Sequence, residues 1–288
     1  KEKTTVQMML NHESAIPALR EPVKEKGFLD WDYMIQRMED EPAWWEPGTR
    51  NGYHMVNFGW TVGELVRRVS GKSLGTFFRE EVADKTGARF WLGLPETEDV
   101  HIAPIIPYAP KPDDVPTEFA IKLVTEPESI QHKSFMNNGG WDFNNRKSQA
   151  AEIGGGGGLS NARGQVAMYT PLATDDGTLV SPDRLKAMSM VTTATQRDAT
   201  LLVPTRFGPG FMKSMDNRAL NLGPGTSVIM GEQAFGHVGA GGSIGFADPE
   251  AGLAFSYTMN QMGSGILVND RAQSLIDAAY RALGYRTN

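Results

Sequence analysis

Apolar positions along the chain fall into a helical texture first and a strand texture later. Thr4 or Thr5 can cap a helix through Val6, Met9 and Leu10, with Pro17 as its end. Asp30 can cap a second helix, in which Met34, Ile35 and Met38 share a face and Pro42 closes the run. Val62, Leu65, Val66 and Val69 sit at i, i+3, i+4 and i+7, which predicts a helix with these four on its core stripe and Gly71 as its stop. Ser73 can cap another, carrying Leu74, Phe77, Phe78 and Val82. Residues 92–150 are rich in Pro, Asn and Asp and hold no long periodic pattern, so they read as an excursion over the surface and a candidate wall of a substrate site. A run of five glycines, Gly154 to Gly158, precedes a helix with Val166, Ala167 and Tyr169 among its buried positions, and Ser181-Pro182 opens the next. Beyond Leu201 short β-type runs alternate with glycine turns: Arg206 to Met212, Ser227 to Met230, Phe235 to Phe246 and Leu253 to Asn260. The turn Asp248-Pro249-Glu250-Ala251-Gly252 joins the last two as an antiparallel hairpin. A helix from about Asp270 to Leu283 closes the chain. The order predicts a helical, loop-rich region over 1–200 and a strand-and-helix region over 201–288, an α+β arrangement.

Composition narrows the function classes. The 288 residues carry 28 Lys and Arg against 34 Asp and Glu, a net charge of −6, and no Lys/Arg block stands out. Such a chain is a poor nucleic-acid binder. No apolar run is long enough to span a bilayer. Zero Cys removes disulfides, thiolate zinc sites and thiol nucleophiles together, and leaves the compartment open. The five histidines, His12, His54, His101, His132 and His237, share no metal-ligand spacing, and no metal or organic cofactor is expected. His12 reads as packed or capping; His101 and His132 read as solvated.

Several segments carry candidate chemistry. The glycine run lacks a preceding strand and a following Gly-Lys-Ser/Thr, so close backbone packing or a tight strand-to-helix turn suits it better than phosphate binding. No Gly-x-Ser-x-Gly elbow is present. Lys85-Thr86-Gly87 ends a helix, where Lys suits the dipole and Gly the C-cap, so it is read as a decoy. Phe235-Gly236-His237-Val238-Gly239-Ala240-Gly241-Gly242 is read as entering a strand that continues through Ser243-Ile244-Gly245-Phe246. Alternation puts His237 and Gly239 on one face, and the small residues leave backbone N–H groups open to a ligand; a plain glycine-rich strand with bulges fits the same pattern. Pro47-Gly48-Thr49-Arg50-Asn51-Gly52 leads to Tyr53, which either projects into a cleft or lies as an amphipathic surface residue.

Together these segments resemble a known family. Thr5-Val6-Gln7-Met8-Met9-Leu10-Asn11-His12 resembles the Thr-Val-x-x-Leu-Leu-x-His helix of the serine β-lactamase-like and penicillin-binding-protein superfamily. Pro47-Gly48 through Tyr53 resembles its second motif, and Phe235 to Gly242 its third, in a His-x-Gly form. Gly156-Gly157-Gly158-Leu159-Ser160-Asn161-Ala162-Arg163 is similar to a segment between them. The order runs along essentially the whole chain, and the branch it most resembles is the class-C-like, family VIII carboxylesterases. Two positions depart from the pattern: Tyr53-His54-Met55 lacks the family's Asn amide, and His237 stands for the family's Lys.

The resemblance implies a β-lactamase/transpeptidase-like fold, an α/β-type sandwich with a helical domain, whose antiparallel sheet is completed by a segment preceding Lys1. It implies acyl transfer through an acyl-serine. No Ser in the chain has Lys three residues later, so the Ser-x-x-Lys nucleophile is expected on that preceding segment, either in one longer chain or as an N-terminal fragment bound as a partner. This chain alone is then expected to be inactive. Tyr53 would shuttle protons, with the Lys and His237 as candidate cations to favour its anion, a histidine being largely neutral at pH 7 unless shifted. The Ala240 N–H, beside Gly239, would form half of the oxyanion hole. Trp44, Trp45 and Phe58 are candidates for an acyl pocket. The implied substrate is a small ester or amide, and a short-chain carboxylesterase is the leading reading. A β-lactamase or D-amino-acid peptidase, and a non-catalytic scaffold or binding protein of the same fold, stay open beside it.

Overall fold

The computed structural model describes residues 2–286. Local capping starts most of the helices. Thr5 accepts from the Met8 N–H ahead of α1 (Val6–Leu10), and Asp30 from the Tyr33 N–H ahead of α2 (Trp31–Asp40). α1 stops well short of Pro17, because His12 adopts φ +60° and turns the chain away. α3 (Asn57–Ser70) ends at Gly71, φ +70°. Ser73 caps α4 (Leu74–Phe78), which passes through a π turn, Arg79–Ala83, into α5 (Asp84–Thr86). Lys85-Thr86-Gly87 is therefore a helix end, as expected, with Gly87 at φ +67° and Lys85 paired to Glu81.

β1 (Phe90–Trp91) pairs with β2 (Leu159–Ser160), and between them run α6 (Glu118–Thr125), α7 (Ile130–Phe135) and α8 (Arg146–Ala150). Asn161 caps α9 (Ala162–Thr174), and Ser181 caps α10 (Pro182–Ser189). A six-stranded antiparallel meander follows in chain order: β3 (Thr193–Thr195), β4 (Thr205–Gly208), β5 (Phe211–Lys213), β6 (Phe235–Gly239), β7 (Ser243–Asp248) and β8 (Leu253–Tyr257). α11 (Asp270–Ala282) closes the fold. Period-two alternation divides the sheet. Ile244 and Phe246 of β7 face α11 through Ala272, Ile276 and Tyr280. Phe235 and Ala247 face α9 and α10 through Tyr169, Leu172 and Leu185. A separate cluster built on Met34, Ile35, Met38, Trp60 and Ile153 fills the helical part, and Tyr53 packs against both it and the α11 side of the sheet. Among the described residues no helix is long and apolar enough to cross a membrane.

Three expectations need correction. The core face of α3 is not the valine stripe: Val69 is 89% exposed, and the buried positions are Asn57, Gly59, Trp60, Gly63 and Glu64. Packing against the glycine run decides this. A Cβ on Gly59 would stand 2.1 Å from the Gly155 nitrogen, and one on Gly155 2.3 Å from the Val56 carbonyl oxygen. The glycines serve close backbone approach, and the buried face follows Gly59 and Gly63, with Trp60 and Glu64 beside them, rather than the valines.

The run Phe235–Phe246 is not one strand. The chain reverses at Ala240-Gly241-Gly242, where Gly241 and Gly242 take φ +87° and +104°. A Cβ on Gly242 would meet Asn269 Nδ2 at 2.1 Å, so the reversal is reserved for glycine. Ser227–Met230 forms no sheet strand; Ser227 and Val228 make isolated bridges to Val268 and Met215.

Gly59→Ala is expected to destabilise the protein by about 1–3 kcal/mol, since both walls of the contact are backbone. Val69→Ala is expected to change stability by under about 0.5 kcal/mol. Urea midpoints of the two variants measure this, and the reverse order would restore the valine face as the core face.

Candidate active site

Tyr53 owes its place to a buried carboxylate. The turn that precedes it is pinned to α1's exit: the Gly52 N–H donates to the His12 carbonyl at 3.0 Å, and Asn51 Nδ2 to the Asn11 carbonyl at 2.7 Å. The Tyr53 N–H then reaches both oxygens of Asp198, at 3.0 and 3.1 Å. Asp198 is fully buried and also accepts from the N–H groups of Thr200 and Leu201, each at 2.8 Å. The Tyr53 ring stacks on Phe207 (centroids 6.0 Å, 11° between planes) and His237 (5.5 Å, 26°), with His12 edge-on at 4.9 Å.

Every titratable ring here is driven toward its neutral form. Burial pushes the Tyr53 phenol well up, and the Asp198 charge adds to it. Burial pushes the His237 imidazole down, against a 2.8 Å contact of Nδ1 with the Val238 carbonyl that favours its charge. Burial therefore disfavours the cationic form of His237 that would favour a Tyr53 phenolate.

His54 sits between Gly52 and Ser14. Its Nδ1 lies 2.6 Å from the Gly52 carbonyl oxygen, and its Nε2 lies 2.8 Å from Ser14 Oγ and accepts from the Ile16 N–H. Burial pushes it down to about 4. His12 is packed, as expected: its Nδ1 accepts from the His54 N–H at 3.2 Å, and burial, then His54 and His237, hold it well below the usual range. His132 is not free in solvent, since its Nδ1 lies 2.8 Å from the Leu123 carbonyl oxygen.

A cavity of about 520 Å³ opens beside Tyr53, and Gly239 and Ala240 line it from the β6–β7 turn. Among the described residues no acceptor takes the Ala240 N–H. Gly155 to Gly158 form part of the wall, and residues 92–150 supply Ile102, Ile105, Phe135, Trp141 and Phe143, as the surface excursion led us to expect. His101, read as solvated, also faces the cavity. Trp44, Trp45 and Phe58 do not. The indole N–H groups of the two tryptophans bond the Ala18 and Arg50 carbonyls, and Phe58 packs on His12. No Lys or Arg lines the cavity among the described residues, and those residues hold no cluster of potential metal ligands.

The arrangement thus brings Tyr53, Gly239 and Ala240 to one cavity, with His237 stacked behind Tyr53 and outside the lining. Asp198 was missed from sequence. It lies in an unremarkable loop, 145 positions from the residue it holds. Gln165 and Trp141 were missed likewise, because helical and loop positions do not show which cavity they face.

The beta-lactamase family model matches residues 1–279. The chain belongs to the beta-lactamase family. Its mixed helical and antiparallel-sheet fold is that of the family. It is 29% identical to the esterase/beta-lactamase LipL of Mycobacterium tuberculosis, over 93% of this chain and 61% of LipL, so it spans about three-fifths of that curated relative. Among solved structures, a family VIII carboxylesterase is 35% identical with TM-score 0.76, over 98% of this chain and 72% of that one. A penicillin-binding protein homologue from Caulobacter crescentus is 27% identical with TM-score 0.79, over 96% and 71%.

The buried histidines set an acid limit on the fold. His12 and His54 have depressed affinity for protons when folded, whereas each titrates near 6.5 when unfolded. Between about 6.5 and 4 the unfolded chain binds protons that the folded chain does not, so stability is full above that window and falls as pH drops through it. His54 alone accounts for roughly 3 kcal/mol at pH 4. Urea midpoints at pH 7.5, 5.5 and 4.5 are expected to fall in that order; a flat series contradicts the neutral burial of these rings.

Proposed function

We propose that this chain carries the proton-transfer and oxyanion half of a serine acyl-transfer site, and that the whole protein is a carboxylesterase acting on uncharged esters. The observation that carries the reading is the meeting of Tyr53 and Ala240 at one apolar-walled cavity. The scheme requires the Ser and Lys of a Ser-x-x-Lys pair, which these 288 residues do not contain. A separate N-terminal fragment as partner has no support in the fold or the relatives.

In this scheme the serine hydroxyl attacks the ester carbonyl and the carbonyl oxygen becomes an oxyanion held by the Ala240 N–H. Tyr53 accepts the serine proton and hands it to the departing alkoxide. Water then repeats the sequence on the acyl-serine and releases the acid. Tyr53 needs a cation to act this way, because its surroundings here push its proton affinity up. With His237 neutral, the Lys of Ser-x-x-Lys is the group that supplies it. The absence of a Ser-x-x-Lys pair is what favours the non-catalytic reading for the isolated 288 residues.

Esters are favoured over β-lactams by the lining. A β-lactam carboxylate asks for a cationic partner, and no Lys or Arg faces the cavity among the described residues. Met55 lines it at the position of the family's Asn amide. The full-length protein is expected to show a higher kcat/KM for a short p-nitrophenyl ester than for a chromogenic cephalosporin at one pH, and a preference for the cephalosporin overturns the ester assignment. Tyr53→Phe is expected to lower kcat by about 10²–10⁴-fold with the urea midpoint little changed. Near-parental turnover would make Tyr53 structural. A fluorophosphonate probe should label the full-length protein and leave the 288-residue chain unlabelled.

A further inference from the structure

Among the residues lining the cavity are the amide side chains of Asn144, Gln149, Asn161, Gln165 and Asn260. Three of them each commit one amide N–H to a backbone carbonyl. Asn144 Nδ2 donates to the Ile105 carbonyl at 2.9 Å, Gln149 Nε2 to the Phe143 carbonyl at 3.1 Å, and Asn260 Nδ2 to the Pro104 carbonyl at 3.4 Å. The other two are tied by their oxygens instead. Asn161 Oδ1 accepts from the Gly164 N–H at 3.0 Å, capping α9, and a backbone N–H leaves no other orientation for that amide. Gln165 Oε1 accepts from the Ser256 hydroxyl at 2.5 Å, across the spot where Gly245 has no side chain.

The consequence is a pair of amide N–H groups without a protein acceptor among the described residues. Asn161 and Gln165 are four apart and stand on one side of the first turns of α9. They share the cavity with Gly239 and Ala240, and the remaining walls are largely apolar. A donor pair fixed in such surroundings discriminates strongly, because a ligand without an acceptor leaves it unpaired once water is displaced. The missing cation decides what kind of acceptor fits. A carboxylate would be desolvated with no Lys or Arg facing it, whereas a neutral carbonyl loses little on entering.

We infer that Asn161 and Gln165 are specificity-determining residues that select uncharged esters carrying a second carbonyl group, such as N-acylamino or glycolamide esters. The inference rests on the ester-hydrolase reading above. It assigns to α9 an amide-recognition role that Met55 cannot fill.

Matched substrates test it on the full-length protein. On the acyl side, p-nitrophenyl N-acetylglycinate is compared with p-nitrophenyl pentanoate, which has the same chain length. On the alcohol side, the butyrate ester of N-methylglycolamide is compared with butyl butyrate. The parent is expected to favour the carbonyl-bearing member of at least one pair by about tenfold or more in kcat/KM. In Asn161→Asp/Gln165→Glu the oxygens that cap α9 and meet Ser256 remain while the N–H donors are gone, and the ratio should fall toward one. Asn161→Ala/Gln165→Met removes both side-chain donors without adding charge, with loss of the Asn161 cap, and should do the same. No preference in the parent for either pair, or an unchanged ratio in both double variants, overturns the inference and leaves the hydrolase reading intact. Failure of the parent to hydrolyse any of the four esters overturns the hydrolase reading and this one with it.

Discussion

The site depends on one buried carboxylate. Asp198 takes the Tyr53 N–H on both oxygens and the N–H groups of Thr200 and Leu201 besides, so a single side chain joins the helical region to the loop that enters the sheet at β4. Leaving one buried backbone donor unpaired costs about 1–3 kcal/mol, and Asp198 satisfies three. The same interaction has an electrostatic side. The negative charge next to Tyr53 raises the cost of forming a phenolate, which burial has already raised. A position held that firmly is useful for proton transfer only if a cation arrives to offset it, and this is the physical reason the proposed mechanism calls for a cation beside Tyr53.

Glycines shape the rest of the cavity. Gly59 and Gly155 bring α3 against the loop before β2, and Gly241 and Gly242 let β6 and β7 reverse beside Asn269. The first contact sets one wall; the second sets the turn at which Ala240 meets the cavity. Between them lie aromatic and aliphatic side chains and two amides with free N–H groups, with no Lys or Arg among the described lining residues. On the proposed reading, it is this surface that favours neutral esters over carboxylates.

Features set by neighbours in sequence could be read in advance. Thr5, Asp30, Ser73 and Ser181 cap the helices expected of them, because a cap needs only the next three residues. Lys85-Thr86-Gly87 was recognisable as a helix end for the same reason. Features set across the fold could not be read. The α3 valines keep helical spacing, yet the buried face follows the glycines that contact a loop nearly a hundred residues on. The Phe235–Phe246 run has strand character throughout, and only the backbone angles of Gly241 and Gly242 show that it is two strands. Tyr53, Gly239 and Ala240 came from their resemblance to family motifs; Asp198 holds its own turn at Thr200 and Leu201 as many loop carboxylates do, and nothing local shows that it also holds Tyr53, 145 positions away, or that Gln165 meets Ser256, 91 positions away.

The central claim is that acyl transfer takes place in the cavity between Tyr53 and the β6–β7 turn. A crystal structure of the full-length protein inactivated by a p-nitrophenyl alkylphosphonate tests it most directly. The account predicts a phosphonylated serine inside this cavity, with a phosphonyl oxygen within hydrogen-bond distance of the Ala240 N–H and the Tyr53 hydroxyl beside the serine oxygen. A phosphonylated serine elsewhere, with Tyr53 and Ala240 untouched, would contradict it.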